Sequence, residues 1–170
     1  VERNVFVDCD RAIALGLGAP DPAMARDGED TCDHRGGVVR NNAIYRSGGA
    51  ATGDVGITAN FARDFAIDHN TVVLSGTFPY GAIEYRFAPS TGYIRNNLTD
   101  APIWRRDGAT AVIDGNVTTA RIDWFADAPA GDLHLAAGAH AAIDVAAALA
   151  EVPDDRDGDV RPIGAAADAG

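Results

Sequence analysis

A chain of 170 residues has room for one domain with a continuous core. Its 25 acidic residues outweigh 14 basic ones, giving a net charge of −11, and every base is Arg; this argues against a nucleic-acid partner, which needs a basic surface to neutralise phosphates. No run of about 18 apolar residues is present, so the sequence encodes no transmembrane helix.

Five short units share one pattern, an aliphatic residue followed three positions later by Asn. They are Val1-Glu2-Arg3-Asn4, Val39-Arg40-Asn41-Asn42, Ile67-Asp68-His69-Asn70, Ile94-Arg95-Asn96-Asn97 and Ile113-Asp114-Gly115-Asn116. The Asn residues stand 38, 28, 27 and 19 positions apart. A second element follows each of them, at Ala12-Ile13, Gly56-Ile57, Ala82-Ile83, Pro102-Ile103 and Arg121-Ile122. Strand-like units recurring at roughly 20–50 residues indicate a solenoid. Strand, tight polar corner and second strand make one coil of a parallel β-helix. The fold expected is all-β, a right-handed parallel β-helix of about four to five coils with a C-terminal cap.

In chain order, residues 1–18 form the first coil, with strands at Val5-Phe6-Val7 and Ala12-Ile13-Ala14-Leu15. Residues 19–36 carry Pro20, Pro22 and Gly28 and lack alternation, which predicts an inserted loop. Coils are expected at 37–62, 63–88, 89–107 and 108–126. Leu133-His134-Leu135 reads as a last strand, and the Ala-rich stretch 139–150 as a short helix or strand closing the stack. The helical domain thus spans 1–150 and a polar tail 151–170. Val1 already lies inside a repeat, so the chain reads as a piece of a longer protein. Cys9 and Cys32 are 23 residues apart, roughly one coil. Equivalent positions in stacked coils come within about 4.8 Å, which admits a disulfide; two free thiols are the other reading.

The Ile-x-Asn-Asn units, the ending Asp157-Gly158-Asp159-x-Arg161-Pro162 and the Ala-Asp-Ala-Gly finish resemble the C-terminal half of secreted bacterial right-handed parallel β-helix proteins of the pectin-lyase-like group. The resemblance covers nearly the whole chain. It implies the fold and a secreted or cell-surface location. It implies no particular reaction, since lyases, hydrolases, epimerases and non-enzymes share this fold, and no family active-site motif matches residue by residue.

Stacked coils turn repeats into columns. Asn4, Asn42, Asn70, Asn97 and Asn116 form one, suited to amide hydrogen bonding along the stack. Arg3, Asn41, His69, Asn96 and Gly115 precede them at the corner, where a left-handed backbone is needed. Glu2, Arg40, Asp68, Arg95 and Asp114 alternate in sign and predict a salt-bridge ladder. On the second strand, Ile13, Ile57, Ile83, Ile103 and Ile122 point inward. Ala14, Thr58, Glu84, Trp104 and Asp123 then face outward, followed by Gly16, Asn60, Arg86, Arg106 and Phe125.

Trp104 with Arg86 and Arg106 suits a polysaccharide or other glycan, because the ring stacks on sugar and guanidinium groups fork onto carboxylates or hydroxyls. Glycoside hydrolysis needs two carboxylates about 5–10 Å apart. Glu84 and Asp123, two coils apart, are expected at about 9–10 Å. His34, beside Asp33 and Cys32 at the end of the inserted loop, is a candidate base for lyase chemistry. Asp155, Asp157 and Asp159 with Gly158 offer the alternating carboxylates that calcium takes; a turn held by Asp side chains is the other reading. Two functions follow, an extracellular module that binds or processes a polysaccharide, or a non-catalytic structural or adhesive surface module.

Overall fold

The computed structural model describes residues 1–19, 32–49, 53–76 and 79–170. Of the described residues, 40% are strand and 4% helix. It winds around three parallel sheets. Sheet A contains β3 (His34–Arg35), β4 (Val38–Arg40), β7 (Ala62–Asp68), β10 (Thr91–Arg95) and β13 (Thr110–Asp114). Sheet B contains β1 (Val5–Val7), β5 (Ala43–Tyr45), β8 (Thr71–Val73) and β11 (Leu98–Thr99). Sheet C contains β2 (Ile13–Leu15), β6 (Ile57–Asn60), β9 (Ile83–Arg86) and β12 (Ile103–Arg106). Each coil visits A, then B, then C, so strands of one sheet come from successive coils and pair in parallel. This is a parallel β-helix solenoid.

Four members of each expected aliphatic column are in register. Ile13, Ile57, Ile83 and Ile103 are in register, as are Val39, Ile67, Ile94 and Ile113. Val39, Ile57, Ile67, Ile83 and Ile94 are fully buried. Each such side chain contributes about 1.5–3 kcal/mol relative to exposure. Ile113 is 44% exposed because no coil stacks beyond it, so the interior column is open at this end.

The corner between sheets A and B is built as its residues require. Arg3, Asn41, His69, Asn96 and Gly115 all adopt a left-handed backbone, with φ between 50° and 63°. The Asn that follows each one carries a continuous amide ladder. Asn70 Nδ2 donates to Asn97 Oδ1 (2.9 Å) and to the Val39 carbonyl (3.0 Å), while its own Oδ1 accepts from Asn42 Nδ2 (2.8 Å). Asn97 repeats this with Asn116 (2.8 Å). The bonds offset the cost of the left-handed turns, about 1–2 kcal/mol per non-Gly residue.

The charge column is in register but pairs selectively. Arg40 binds Glu2 (2.6 Å), and Arg95 forks onto Asp68 (2.9 and 2.7 Å) and also reaches Glu151 (2.8 Å). The expected Arg40–Asp68 pair does not form. Asp68 has both oxygens occupied by Arg95, and Arg40 instead donates to Glu2 and to the Glu151 carbonyl.

Two expectations need correction. Arg121-Ile122 does not begin a fifth sheet C strand: Ile122–Trp124 is a single 3-10 turn, and Ile122 is exposed. The chain leaves the stack there to form an antiparallel pair, β14 (Phe125–Asp127) and β15 (Asp132–Leu135). The segment 151–170 is no free tail, and 139–150 consists of turns and one bridge, Ala146 to Ala167. The C-terminal segment lies along the outside of sheet B. There Phe125, Ala128, Leu133, Ala142 and Ala169 pack on Ala43, Tyr45, Val73 and Leu98. Sheet B has apolar residues on both faces, since Ile44 and Val72 fill the interior, and an apolar outer face must be covered. Burying that face outweighs a fifth strand at the open end, which would have only one neighbour. Of the two readings left open for the cysteines, the free thiols are what the fold holds. Cys9 follows a sheet B strand and Cys32 precedes a sheet A strand, so they do not occupy equivalent positions. Residues 20–31 of the expected inserted loop lie outside the described residues, and its end, His34–Arg35, joins sheet A as β3.

Candidate functional site

The outer face of sheet C carries the two outward columns anticipated for β2, β6, β9 and β12. Ala14, Thr58, Glu84 and Trp104 are aligned, and beside them Asn60, Arg86 and Arg106. The inward slots hold Ile57, Ala59, Ile83 and Tyr85, all buried. Alternation along each strand therefore sets the direction of every site residue.

The charges on this face are closed among themselves. Glu84 is only 4% exposed, and its Oε2 accepts from Arg106 Nη1 at 2.6 Å. The Arg106 guanidinium lies 4.4 Å from the Tyr80 ring centre, a cation–π contact. The hydrogen bond from Glu84 raises the pKa of Arg106. Arg86 pairs with Asp107 and lies 4.4 Å over the Phe87 ring, which stacks on Phe61 at 4.1 Å. Thr58 and Asn60 are buried and bonded to each other at 3.0 Å.

Trp104 is the exception, 39% exposed at the end of its column. Gly81 sits under it with φ +76°; a Cβ there would stand 2.3 Å from the Pro102 carbonyl and 3.5 Å from the indole Cδ1. The glycine allows the preceding turn to come up against the Trp104 strand.

Asp123 does not join this face. It lies in the 3-10 turn that replaces the fifth strand, where Arg121 forks onto it at 3.0 Å twice and holds its carboxyl below the usual range. The expected pair of carboxylates across the face is therefore not assembled. Glu84 is committed to Arg106 and Asp123 to Arg121. His34 is on sheet A, paired with Ala62, and its ring packs over Gly37, where a Cβ would come within 2.5 Å of Nε2. Its backbone N–H bonds the Phe61 carbonyl at 3.2 Å, just after the sheet C strand ends at Asn60.

Of the three tail carboxylates, Asp155 holds a turn. Asp155 Oδ1 accepts the backbone N–H groups of Asp157, Gly158 and Asp159, each at 2.9 Å. Asp157 instead binds His134 Nε2 at 2.7 Å, and Asp132 binds the other ring nitrogen, which raises the pKa of His134. Among the described residues no group of three or more His, Cys, Asp or Glu is arranged to hold a metal ion, and the turn reading describes Asp155.

A second concavity was not anticipated from sequence. Docking of the C-terminal segment against the Asn corner leaves a cavity of about 270 Å³ lined by His69, Asn41, Leu133, His134, Arg161 and Ile163, among others. Its only sequence signal is His69 in a corner column otherwise made of Arg, Asn and Gly. No protein-family model, curated protein or solved structure matches the chain. No helix among the described residues is long and apolar enough to cross a membrane.

Proposed function

We propose that this chain is a non-catalytic module of a secreted or cell-surface protein that holds a polysaccharide on the Trp104 edge of sheet C. The observation that carries the reading is the internal neutralisation of the face. Glu84 is sealed by Arg106 and Arg86 by Asp107, which leaves no carboxylate pair poised for glycoside cleavage among the described residues of this face, while Trp104 offers an exposed ring. Sugar C–H faces stack on such a ring. Arg106 and Arg86, each partly exposed, retain N–H donors for hydroxyl or carboxylate oxygens at the rim. The likeness of the Ile-x-Asn-Asn units to pectin-lyase-like proteins supports an extracellular setting and a polymeric glycan as partner. The solenoid supplies a straight, stiff strand array along which a chain molecule can lie.

A glycan array and a reducing-end assay on the same preparation test this. Binding without release of new reducing ends or unsaturated products is the expected outcome, and Trp104→Ala should abolish binding while shifting the thermal midpoint by only a few degrees. Cleavage by the purified chain would overturn the non-catalytic reading. Absence of binding to acidic and neutral polysaccharides alike would overturn the glycan reading and leave a purely structural surface module.

A further inference from the structure

The fifth coil of the solenoid is unfinished. Its sheet A strand, Thr110–Asp114, and the Leu98–Val117 bridge at sheet B both stack on the fourth coil, but at Ile122 the chain turns away. β12 (Ile103–Arg106) therefore ends sheet C, paired with β9 on one side and with no strand on the other. An edge of this kind presents unpaired backbone N–H and C=O groups, a template for another strand. It opens onto a cleft of about 410 Å³ lined by Ile103, Ile113, Asp114, Asn116 and Thr118, among others.

Two inward columns end at this edge, one apolar and one charged. Ile103 continues the column of Ile13, Ile57 and Ile83 but is only partly buried, and Ile113, lining the same cleft, is 44% exposed. Arg105 continues the column of Leu15, Ala59 and Tyr85, all of them buried. Arg105 is exposed, and no ion pair engages it among the described residues. The arginines of the neighbouring outward column, Arg86 and Arg106, are paired with Asp107 and Glu84. An inward charge guards an open edge against indiscriminate apolar strands. It also selects, because a strand carrying an acid at that place neutralises the element that repels the others. A second copy of the chain stacked head to tail lacks that acid. Continuing the columns, it would set Leu15 on Arg105 and Glu2 on Asp114, a cation against an apolar side chain and two like charges opposed.

We propose that the free edge of β12 takes an extended peptide segment of another protein, with an apolar residue over Ile103 and Ile113 and an acidic residue two places along over Arg105. The strand period of two sets that spacing, since both side chains must point inward. Main-chain hydrogen bonds supply the general affinity and Arg105 the specificity, as in other strand additions. The inference goes beyond the glycan reading and does not depend on it. The glycan is placed on the outward ring of Trp104, whereas the peptide runs along the backbone edge of the same strand.

The probe is the capped peptide Thr-Glu-Thr-Val-Thr-Glu-Thr, which presents the pattern in either chain direction. One counterpart carries Lys in place of Glu, and another carries N-methyl groups along its backbone. Each is titrated calorimetrically into the whole chain. The glutamate peptide should bind at least about tenfold tighter than the lysine peptide, as one charge-assisted bond requires, although the net charge of −11 favours the lysine one. N-methylation should abolish binding. Arg105→Glu, which breaks no ion pair, should reverse the preference, and amide exchange at Ile103–Arg106 should slow in the presence of the glutamate peptide. Equal affinity of the two peptides, an unchanged preference in Arg105→Glu, or exchange at Ile103–Arg106 that does not respond to the glutamate peptide would overturn the proposal. So would self-association of the chain that excludes the peptide and changes with Arg105→Glu, because the edge would then belong to a second copy.

Discussion

Replacing Asn70 by Ala tests whether the amide ladder is what holds the corner. Asn70 is fully buried at the middle of the stack. Its Oδ1 is the acceptor for both the Asn42 backbone N–H (3.2 Å) and Asn42 Nδ2 (2.8 Å), and its Nδ2 serves the Val39 and Asp68 carbonyls and Asn97 Oδ1. The substitution orphans a buried backbone N–H, at about 1–3 kcal/mol, and forfeits several further bonds at about 1 kcal/mol each. A loss of about 3–5 kcal/mol is expected. Asn4→Ala is the control, because Asn4 is exposed at the first coil and its side chain only donates, to the Glu2 carbonyl and Asn42 Oδ1. Water replaces those bonds, and the cost should stay at or below about 1 kcal/mol. Urea denaturation followed by circular dichroism reads both, provided the slope with denaturant is unchanged. Equal losses for the two variants, or less than about 1 kcal/mol for Asn70→Ala, would show that strand stacking holds the corner without the ladder.

Arg106→Met should cost about 3–5 kcal/mol by leaving Glu84 buried without its partner, and adding Glu84→Gln should recover much of it; an additive double variant would count against a coupled pair. Asp68→Asn should destabilise by a similar amount, since Asp68 is 1% exposed and bidentate to Arg95, and the loss should persist in high salt because the pair is shielded. The His69 value near 4 lies below its ordinary 6.5, so as pH falls from about 6.5 to 4 the unfolded chain takes up the proton first. Stability should decline through that window by roughly 3 kcal/mol, and His69→Asn should flatten that decline in pH-dependent unfolding curves. His134 runs the other way: its raised value places its contribution fully below the ordinary His range and removes it as pH climbs, which a loosening of the 153–161 turn in hydrogen exchange would report.

The sequence by itself determined the coil. The Val39, Ile67, Ile94 and Ile113 positions are interior because each precedes a corner whose left-handed residue must be followed by a hydrogen-bonding Asn, and that local requirement repeats wherever the motif does. The outward placement of Glu84, Trp104, Arg86 and Arg106 follows from strand alternation alone, and it is what the structure shows. Tertiary structure decided everything that depended on competition between partners. Asp68 could neighbour Arg40 or Arg95, and only the fork geometry selected Arg95. Ile122 carries the same local signal as Ile103, yet a strand there would stack on one side only. The Trp124–Phe125 stretch buries more apolar surface by turning onto the outside of sheet B, which removes Asp123 from the face. The cavity at His69 and Arg161 exists because residues about 90 positions apart are brought together by that docking. No local pattern records such a contact, since it arises from an apolar outer face that required a cover and a C-terminal segment able to supply it.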